Sequence, residues 1–106
     1  MPARRSSAQL FAALGDPTRL RLVRRLCDDG PLSITRLTTG SRVTRQAVTK
    51  HLRVMEGAGL VISARQGRES LWQLDRQRLD EARTYLEQIS RQWDAALGRL
   101  QKFVEE

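Results

Sequence analysis

The chain has 106 residues and a formal net charge of +7, which favours a polyanionic partner. Its length predicts one domain, spanning residues 1–106. No apolar run approaches transmembrane length, and the single cysteine excludes an intramolecular disulfide, which is compatible with the cytoplasm. The charge is uneven: residues 1–68 hold 13 Lys and Arg against 4 Asp and Glu, whereas residues 69–106 hold 6 against 8. The basic part is therefore the candidate for contact with a polyanion.

A short helix is predicted near the start of the chain. Ser6 or Ser7 supplies an N-cap hydroxyl, and Gly15 ends the helix after Leu14. Its large apolar side chains share one side of the helix: Leu10, Phe11 and Leu14.

A second helix begins at Asp16-Pro17. Asp16 is the predicted N-cap, and Pro17 stands at the first helical position, where its missing N–H costs nothing. We expect Cys27 to be a small core residue on the inward face of this helix. The residues expected on that face are Leu20, Val23, Leu26 and Cys27, and residues 28–31 are expected to form a loop.

Ser33 is predicted to cap a third, short helix over residues 34–39, with Ile34 and Leu37 facing inward. Residues 40–43 then form a turn into the next helix. A short helix, a turn containing glycine and a second helix with a polar outward face are typical of a helix-turn-helix.

The central helix is predicted over residues 44–58. Thr44 is its N-cap, Val43 and Val48 have the spacing of a hydrophobic staple, and Gly59 suits the left-handed position after the last turn. The buried stripe is Val48, Leu52 and Met55. The opposite stripe carries Arg45, Thr49 and Arg53, with Gln46 and Lys50 beside it. Such side chains can read bases and neutralise phosphates, although an ordinary solvated face would look the same.

A β-hairpin is predicted over residues 60–74, with strands at 60–64 and 71–74 and a tight turn at 66–69. Trp72 and Leu74 are expected to face inward. Arg65 and Arg68 lie near the tip, so the hairpin resembles a wing that meets DNA phosphate or the minor groove. The alternative is that these arginines only keep the hairpin soluble.

The last helix is predicted over residues 75–104, with Asp75 as its cap. Apolar residues recur there in four heptads, which is the pattern of a helix that pairs with another helix. A helix this long cannot bury its whole stripe on a small domain, so part of it is expected to pack on a second copy. Packing on the first helix alone is the alternative, and Gly98 is a possible interruption. The two heptad positions are Leu79, Leu86, Trp93 and Leu100, and Ala82, Ile89, Ala96 and Phe103.

Three segments together resemble one known family: FAALGDPTRLRLVRRL, TRQAVTKHLRVMEGAGLV and QGRESLWQL. Over residues 8–75 the chain resembles the ArsR-type winged-helix repressors of bacteria. The resemblance implies a mainly α fold with a small β-hairpin: a winged helix-turn-helix with a long C-terminal dimerisation helix. It also implies a homodimer, joined by the first and last helices, that represses transcription from a palindromic operator.

The candidate site residues combine these elements with the resemblance, which places base reading on Arg45, Gln46 and Thr49. The expected DNA contacts are Arg42, Thr44, Arg45, Gln46, Thr49, Lys50, Arg53, Arg65 and Arg68. The expected dimer contacts are Leu10, Phe11, Leu86, Ile89, Trp93 and Leu100.

The chain departs from the metal-sensing members of that family. The segment LSITRLTTG has no cysteine and no histidine follows His51, so no metal site and no cofactor are expected, and His51 is expected to pack or hydrogen-bond. No catalytic constellation is recognisable, so an enzyme is not expected. Two alternatives stay open: a winged-helix module that binds another protein, and a repressor that responds to metal or thiol chemistry. The inducing signal is also open.

Overall fold

The computed structural model describes residues 6–105, which form a mainly helical fold with a small antiparallel sheet. The elements are α1 (Ser7–Leu14), α2 (Pro17–Asp29), β1 (Leu32–Ser33), α3 (Ile34–Thr38), α4 (Arg45–Gly57), β2 (Val61–Gln66), β3 (Glu69–Leu74) and α5 (Arg76–Glu105).

The predicted helix starts are confirmed by their capping bonds. In α1 to α4 the cap side chain accepts from the backbone N–H three residues later, at 3.0–3.2 Å. Asp75 accepts from the N–H of Gln77 at 3.0 Å and opens α5. Each such cap stabilises its helix by about 1 kcal/mol. The four residues that cap α1 to α4 are Ser6, Asp16, Ser33 and Thr44.

The sheet has the strand order β1-β3-β2, with one more strand than predicted. The turn of the hairpin is only Gly67-Arg68, so both strands are longer than predicted and the ladder closes at Gln66 and Glu69. Gly67 has a φ of 63°, which a residue with a side chain adopts reluctantly. The additional strand β1 pairs Leu32 with Trp72, and its two residues are too few to show an alternating pattern.

The core lies between the helices and the inner face of the sheet, with Trp72, 2% exposed, at its centre. Around that ring pack apolar side chains from every helix and from the strands: Leu10, Leu22, Leu26, Leu32, Leu37, Val48, Leu52, Met55, Leu60, Val61 and Ala82.

The inward face of α2 differs from the prediction. Leu22 and Leu26 are buried, whereas Leu20 is 46% exposed and Cys27 is exposed, so the expected core role of Cys27 was wrong. Leu20 lies about 200° around the helix axis from Leu22, and the two cannot face the same core. The helix also runs to Asp29, two residues into the expected loop.

The last helix is continuous through Gly98 and contains 30 residues, a length of about 45 Å. Its first turns pack on the core through Ala82 and the half-buried Leu79. Phe11 of α1 contacts Tyr85, with ring centroids 5.5 Å apart. Beyond that contact the apolar stripe is exposed, so packing on α1 alone does not account for it. Leu10 is 1% exposed and belongs to the protomer core, which corrects its expected role as a dimer contact.

Arg78 of α5 is a charged side chain that is buried, with 8% exposure. Its Nε donates to the carbonyl oxygen of Ala58 at 3.0 Å, just after the end of α4, and Nη2 donates to that of Ser6 at 2.8 Å, at the start of α1. Nη1 donates to Glu81 at 2.6 Å. The guanidinium therefore joins three helices.

Replacing Arg78 with Gln is expected to lower the free energy of unfolding by roughly 2–3 kcal/mol, because the buried carbonyl of Ala58 loses its donor and the carbonyl of Ser6 keeps only the N–H of Leu10. Urea unfolding at one fixed protein concentration measures this change. The control is Arg83→Gln on the same helix, which removes an exposed ion pair with Glu87 and should cost less than about 1 kcal/mol. Equal losses in the two variants would contradict the bridging role of Arg78.

Candidate nucleic-acid interface

The outward face of α4 is the largest feature of the candidate interface. Its opposite face is held in the core by Val48, Leu52 and Met55, each at most 1% exposed. This burial fixes the rotation of the helix about its axis, so Arg45, Gln46 and Lys50 are exposed, as predicted. The helix ends where Gly59 takes a φ of 77° and the N–H of Leu60 donates to the carbonyl of Met55.

Hydrogen bonds orient several side chains in the first turns of α4. Arg45 Nη1 donates to Thr35 Oγ1 of α3 at 3.1 Å, so the neighbouring helix holds this guanidinium in place. The Thr49 hydroxyl donates to the carbonyl of Arg45 at 2.9 Å, which leaves its oxygen to accept from a base. Thr44 uses its oxygen to accept from Ala47, which leaves its hydroxyl proton for a phosphate oxygen.

Arg53 lies apart from this group. Its Nη1 donates to Glu56 at 3.0 Å, and its guanidinium carbon is 5.4 Å from the ring centroid of Trp72. A cation over an aromatic face is favourable, so Arg53 helps to fix the end of α4 against β3. The geometry favours this positioning role over base reading, and the contact to Trp72 depends on strand packing that sequence spacing does not reveal.

The turn before α4 and the tip of the hairpin add further exposed cations. Gly40 has a φ of 73°, and the hydroxyl of Ser41 accepts from the N–H of Val43, which shapes the turn and leaves Arg42 exposed. On the hairpin, Arg65 of β2 lies opposite Ser70 of β3, and Arg68 occupies the turn between the two strands. Both side chains are exposed at the tip, where the sequence placed them.

A polar cluster of Asp16, Arg19 and His51 joins α4 to α1 and α2. Arg19 Nε donates to the carbonyl of Ala13 at 2.6 Å, and its Nη1 lies 3.2 Å from Nδ1 of His51. Because arginine can only donate, Nδ1 must accept, and the 3.9 Å separation of Nδ1 from Asp16 is too long for a hydrogen bond. His51 is thus a hydrogen-bonding residue, as expected.

Two other features are absent from the part of the chain that the structure describes. Among residues 6–105, no three or more His, Cys, Asp or Glu side chains group in a way that could hold a metal ion. No helix there is both long enough and apolar enough to cross a membrane.

Known proteins share this arrangement. A family model described as a helix-turn-helix domain matches residues 14–64. The HTH-type transcriptional regulator Rv2034 of Mycobacterium tuberculosis is 38% identical over 97 residues, covering 92% of this chain and 87% of that protein. An ArsR-like transcriptional regulator from Rhodococcus sp. RHA1 superposes with a TM-score of 0.81 and 35% identity, over 92% and 89% of the two chains.

The chain belongs to the ArsR family of winged-helix regulators. This ArsR-type protein is a transcriptional regulator with a helix-turn-helix DNA-binding domain, and it is not an enzyme. The cadmium metal-sensor CMTR of Mycobacterium tuberculosis is a more partial match, with a TM-score of 0.55 and 37% identity over 63% of this chain and 69% of that chain.

Among the residues that the structure describes, Asp16 of this ArsR-type regulator has a pKa that its surroundings shift. The backbone N–H of Arg19 donates to its carboxylate, and the charge of Arg19 adds to this effect, so the pKa of Asp16 is held below its ordinary value of 3.8. A lowered pKa in the folded state means that the ionised carboxylate stabilises the fold above pH 3.8. That contribution is lost as the pH falls through the lowered value.

We therefore expect Asp16→Asn to destabilise the protein near neutral pH and to converge with the wild type in acid. Urea unfolding measured between neutral pH and about pH 3 tests this. The control is Asp28→Asn, which changes an exposed carboxylate near the other end of α2. A stability difference between wild type and Asp16→Asn that does not shrink with falling pH would contradict the assignment.

Proposed function

We propose that this regulator is a homodimeric repressor that binds a palindromic operator, with residues 44–58 in the major groove and residues 60–74 along the backbone. The observation that carries the proposal is the exposed first half of α4, where guanidinium, amide, hydroxyl and ammonium groups occur without a carboxylate. Since DNA is the ligand, we expect the protein to act in the cytoplasm. A purely protein-binding module would not need this cationic face.

The reading residues in this proposal are Arg45, Gln46 and Thr49. The N-terminal part of a recognition helix reaches base edges in the major groove, where Arg suits guanine and Gln suits adenine. The bond from Arg45 to Thr35 supports this role, because an oriented side chain loses less entropy on binding. A well-formed bidentate contact gives roughly 1–3 kcal/mol of discrimination between bases.

The remaining cations are assigned to the DNA backbone. Three exposed cations lie on separate parts of the interface. Arg42 is in the turn before α4, Lys50 is within α4, and Arg68 is at the hairpin tip. Thr44 and Arg65 are assigned to the same role. Arg53 is assigned a smaller role at the DNA backbone, because its guanidinium already contacts Glu56 and Trp72 within the protein. Backbone contacts position a protein on DNA without reading its sequence.

Losing Arg45 or Gln46 should relax sequence preference, whereas losing Arg68 should weaken binding to all sequences alike. We expect Arg45→Ala and Gln46→Ala to lower the ratio of operator to scrambled-duplex affinity by about tenfold each. Arg68→Ala should keep that ratio and lower the salt slope by about one unit. Titrations at several salt concentrations, on chelator-treated protein because no metal is expected to take part, measure both quantities.

The matched control for these titrations is Arg91→Ala, which removes an exposed cation on α5. It should leave both the ratio and the slope unchanged. If Arg68→Ala abolishes the ratio while Arg45→Ala and Gln46→Ala leave it intact, then the hairpin reads the sequence and the assignment to α4 is wrong.

The homodimer part of the proposal rests on the exposed stripe of α5. Trp93 is 63% exposed, and it is one of a continuous series of large apolar side chains along one face. A soluble protein exposing so large an apolar patch has an interaction surface there, and heptad spacing fits pairing with another helix. Phe11, which packs beside Tyr85, extends the patch onto α1. The exposed series is Tyr85, Leu86, Ile89, Trp93, Leu97, Leu100, Phe103 and Val104.

We expect the wild type to sediment as a dimer at micromolar concentration and the double variant Ile89→Asp, Trp93→Asp to sediment as a monomer with weaker operator binding. Two carboxylates buried at a helix pair would be desolvated without partners. Arg91→Asp places the same group on the opposite face of α5 and should remain dimeric. Circular dichroism establishes that both variants are folded. A monomeric wild type would remove this part of the proposal.

A further inference from the structure

A cavity of about 520 Å³ lies between α2, α3 and the turn that leads into α4. Its floor is formed by apolar side chains that belong to the core or to the staple before α4: Leu22, Leu37, Val43 and Val48. The volume lies within the range of about 300–1,000 Å³ that is typical of small-molecule sites.

Arginines from two elements line the same cavity. Arg21 and Arg25 come from successive turns of α2, and Arg42 comes from the turn before α4. None of the described side chains that line the cavity is a carboxylate, and the nearest acidic partner of Arg25, Asp29, is exposed and 3.7 Å away. Like charges in a concave site with apolar walls focus a positive potential into it.

We propose that this cavity binds a small organic anion with an apolar body, such as an aromatic carboxylate, as an effector of DNA binding. The guanidinium groups match the carboxylate, and the apolar floor matches the hydrocarbon part. A DNA phosphodiester would satisfy the arginines and leave the floor unused, while a neutral apolar molecule would leave the arginines unused. Charge and shape thus favour a ligand that has both parts.

The place of the cavity gives such a ligand an effect on DNA binding, and this step rests on the proposed function. Arg42 lines the cavity and is also assigned to the operator backbone, so a bound anion competes with DNA for it. Val43 and Val48 form the staple that sets the entry angle of α4. A ligand that binds more tightly when this turn is not arranged for DNA binding lowers operator affinity. The factor is the ratio of the ligand's affinities for the free and the DNA-bound arrangements.

The test uses three probes with the full chain: 1-naphthoate, 1-naphthamide and inorganic phosphate. Calorimetry without DNA should show saturable binding of naphthoate, with the uncharged amide and the purely polar phosphate each at least about tenfold weaker. Methyl resonances of Val43 and Val48 should shift with naphthoate, and those of Leu97 and Leu100 on α5 should not. Saturating naphthoate should then weaken operator binding.

The variants are Arg21→Gln and Arg25→Gln, with Arg24→Gln as an exposed control on the same helix outside the cavity. Each of the first two should lower naphthoate affinity by about tenfold, leaving operator binding without ligand unchanged. Weaker binding to every duplex with unchanged naphthoate affinity would assign the arginines to DNA phosphate and overturn the proposal. Absence of saturable naphthoate binding would overturn it as well. Because the calorimetry contains no DNA, a failure of operator binding is a separate result.

Discussion

The buried guanidinium of Arg78 is the contact on which the relative placement of the helices depends. It supplies donors to the backbone just after α4, to the start of α1, and to Glu81 within α5. A buried charge without partners would be strongly unfavourable, so these three helices keep the positions that satisfy it. The end of α4 is thereby tied to the first turns of α5, whose far half carries the exposed apolar stripe.

A second polar contact acts on the middle of α4. Arg19 joins the end of α1 to His51 in the middle of α4, and Asp16 beside it caps α2. With the apolar stripe of α4 buried as well, rotating or sliding the helix would break these hydrogen bonds and expose apolar side chains. The base reading proposed for α4 needs this rigidity, because hydrogen bonds to base edges tolerate little error in distance or angle.

The sequence predicted what depends on neighbouring residues and missed what depends on distant ones. The caps Ser33 and Thr44, and the left-handed Gly59, act within one turn of their own helix, so their spacing is visible in the chain. Arg78 looked like any solvated helix arginine, because its acceptors at Ser6 and Ala58 are 72 and 20 residues away. The face of α2 was misassigned for a related reason: apolar residues surround much of that helix, and only packing selects the buried line.

In the proposed dimer, the basic part of the chain binds DNA and the nearly neutral last helix pairs with its copy. This separation of the two roles has a mechanical consequence. Two copies of α4 must enter successive major grooves, about 34–36 Å apart, which a two-fold pairing of α5 would fix. The helix is about 45 Å long, yet only its first turns contact its own core. Any strain imposed at the paired end therefore reaches the reading face through those first turns, where Arg78 contacts the end of α4. In the proposed dimer, this junction therefore positions the face that carries Arg45 and Gln46.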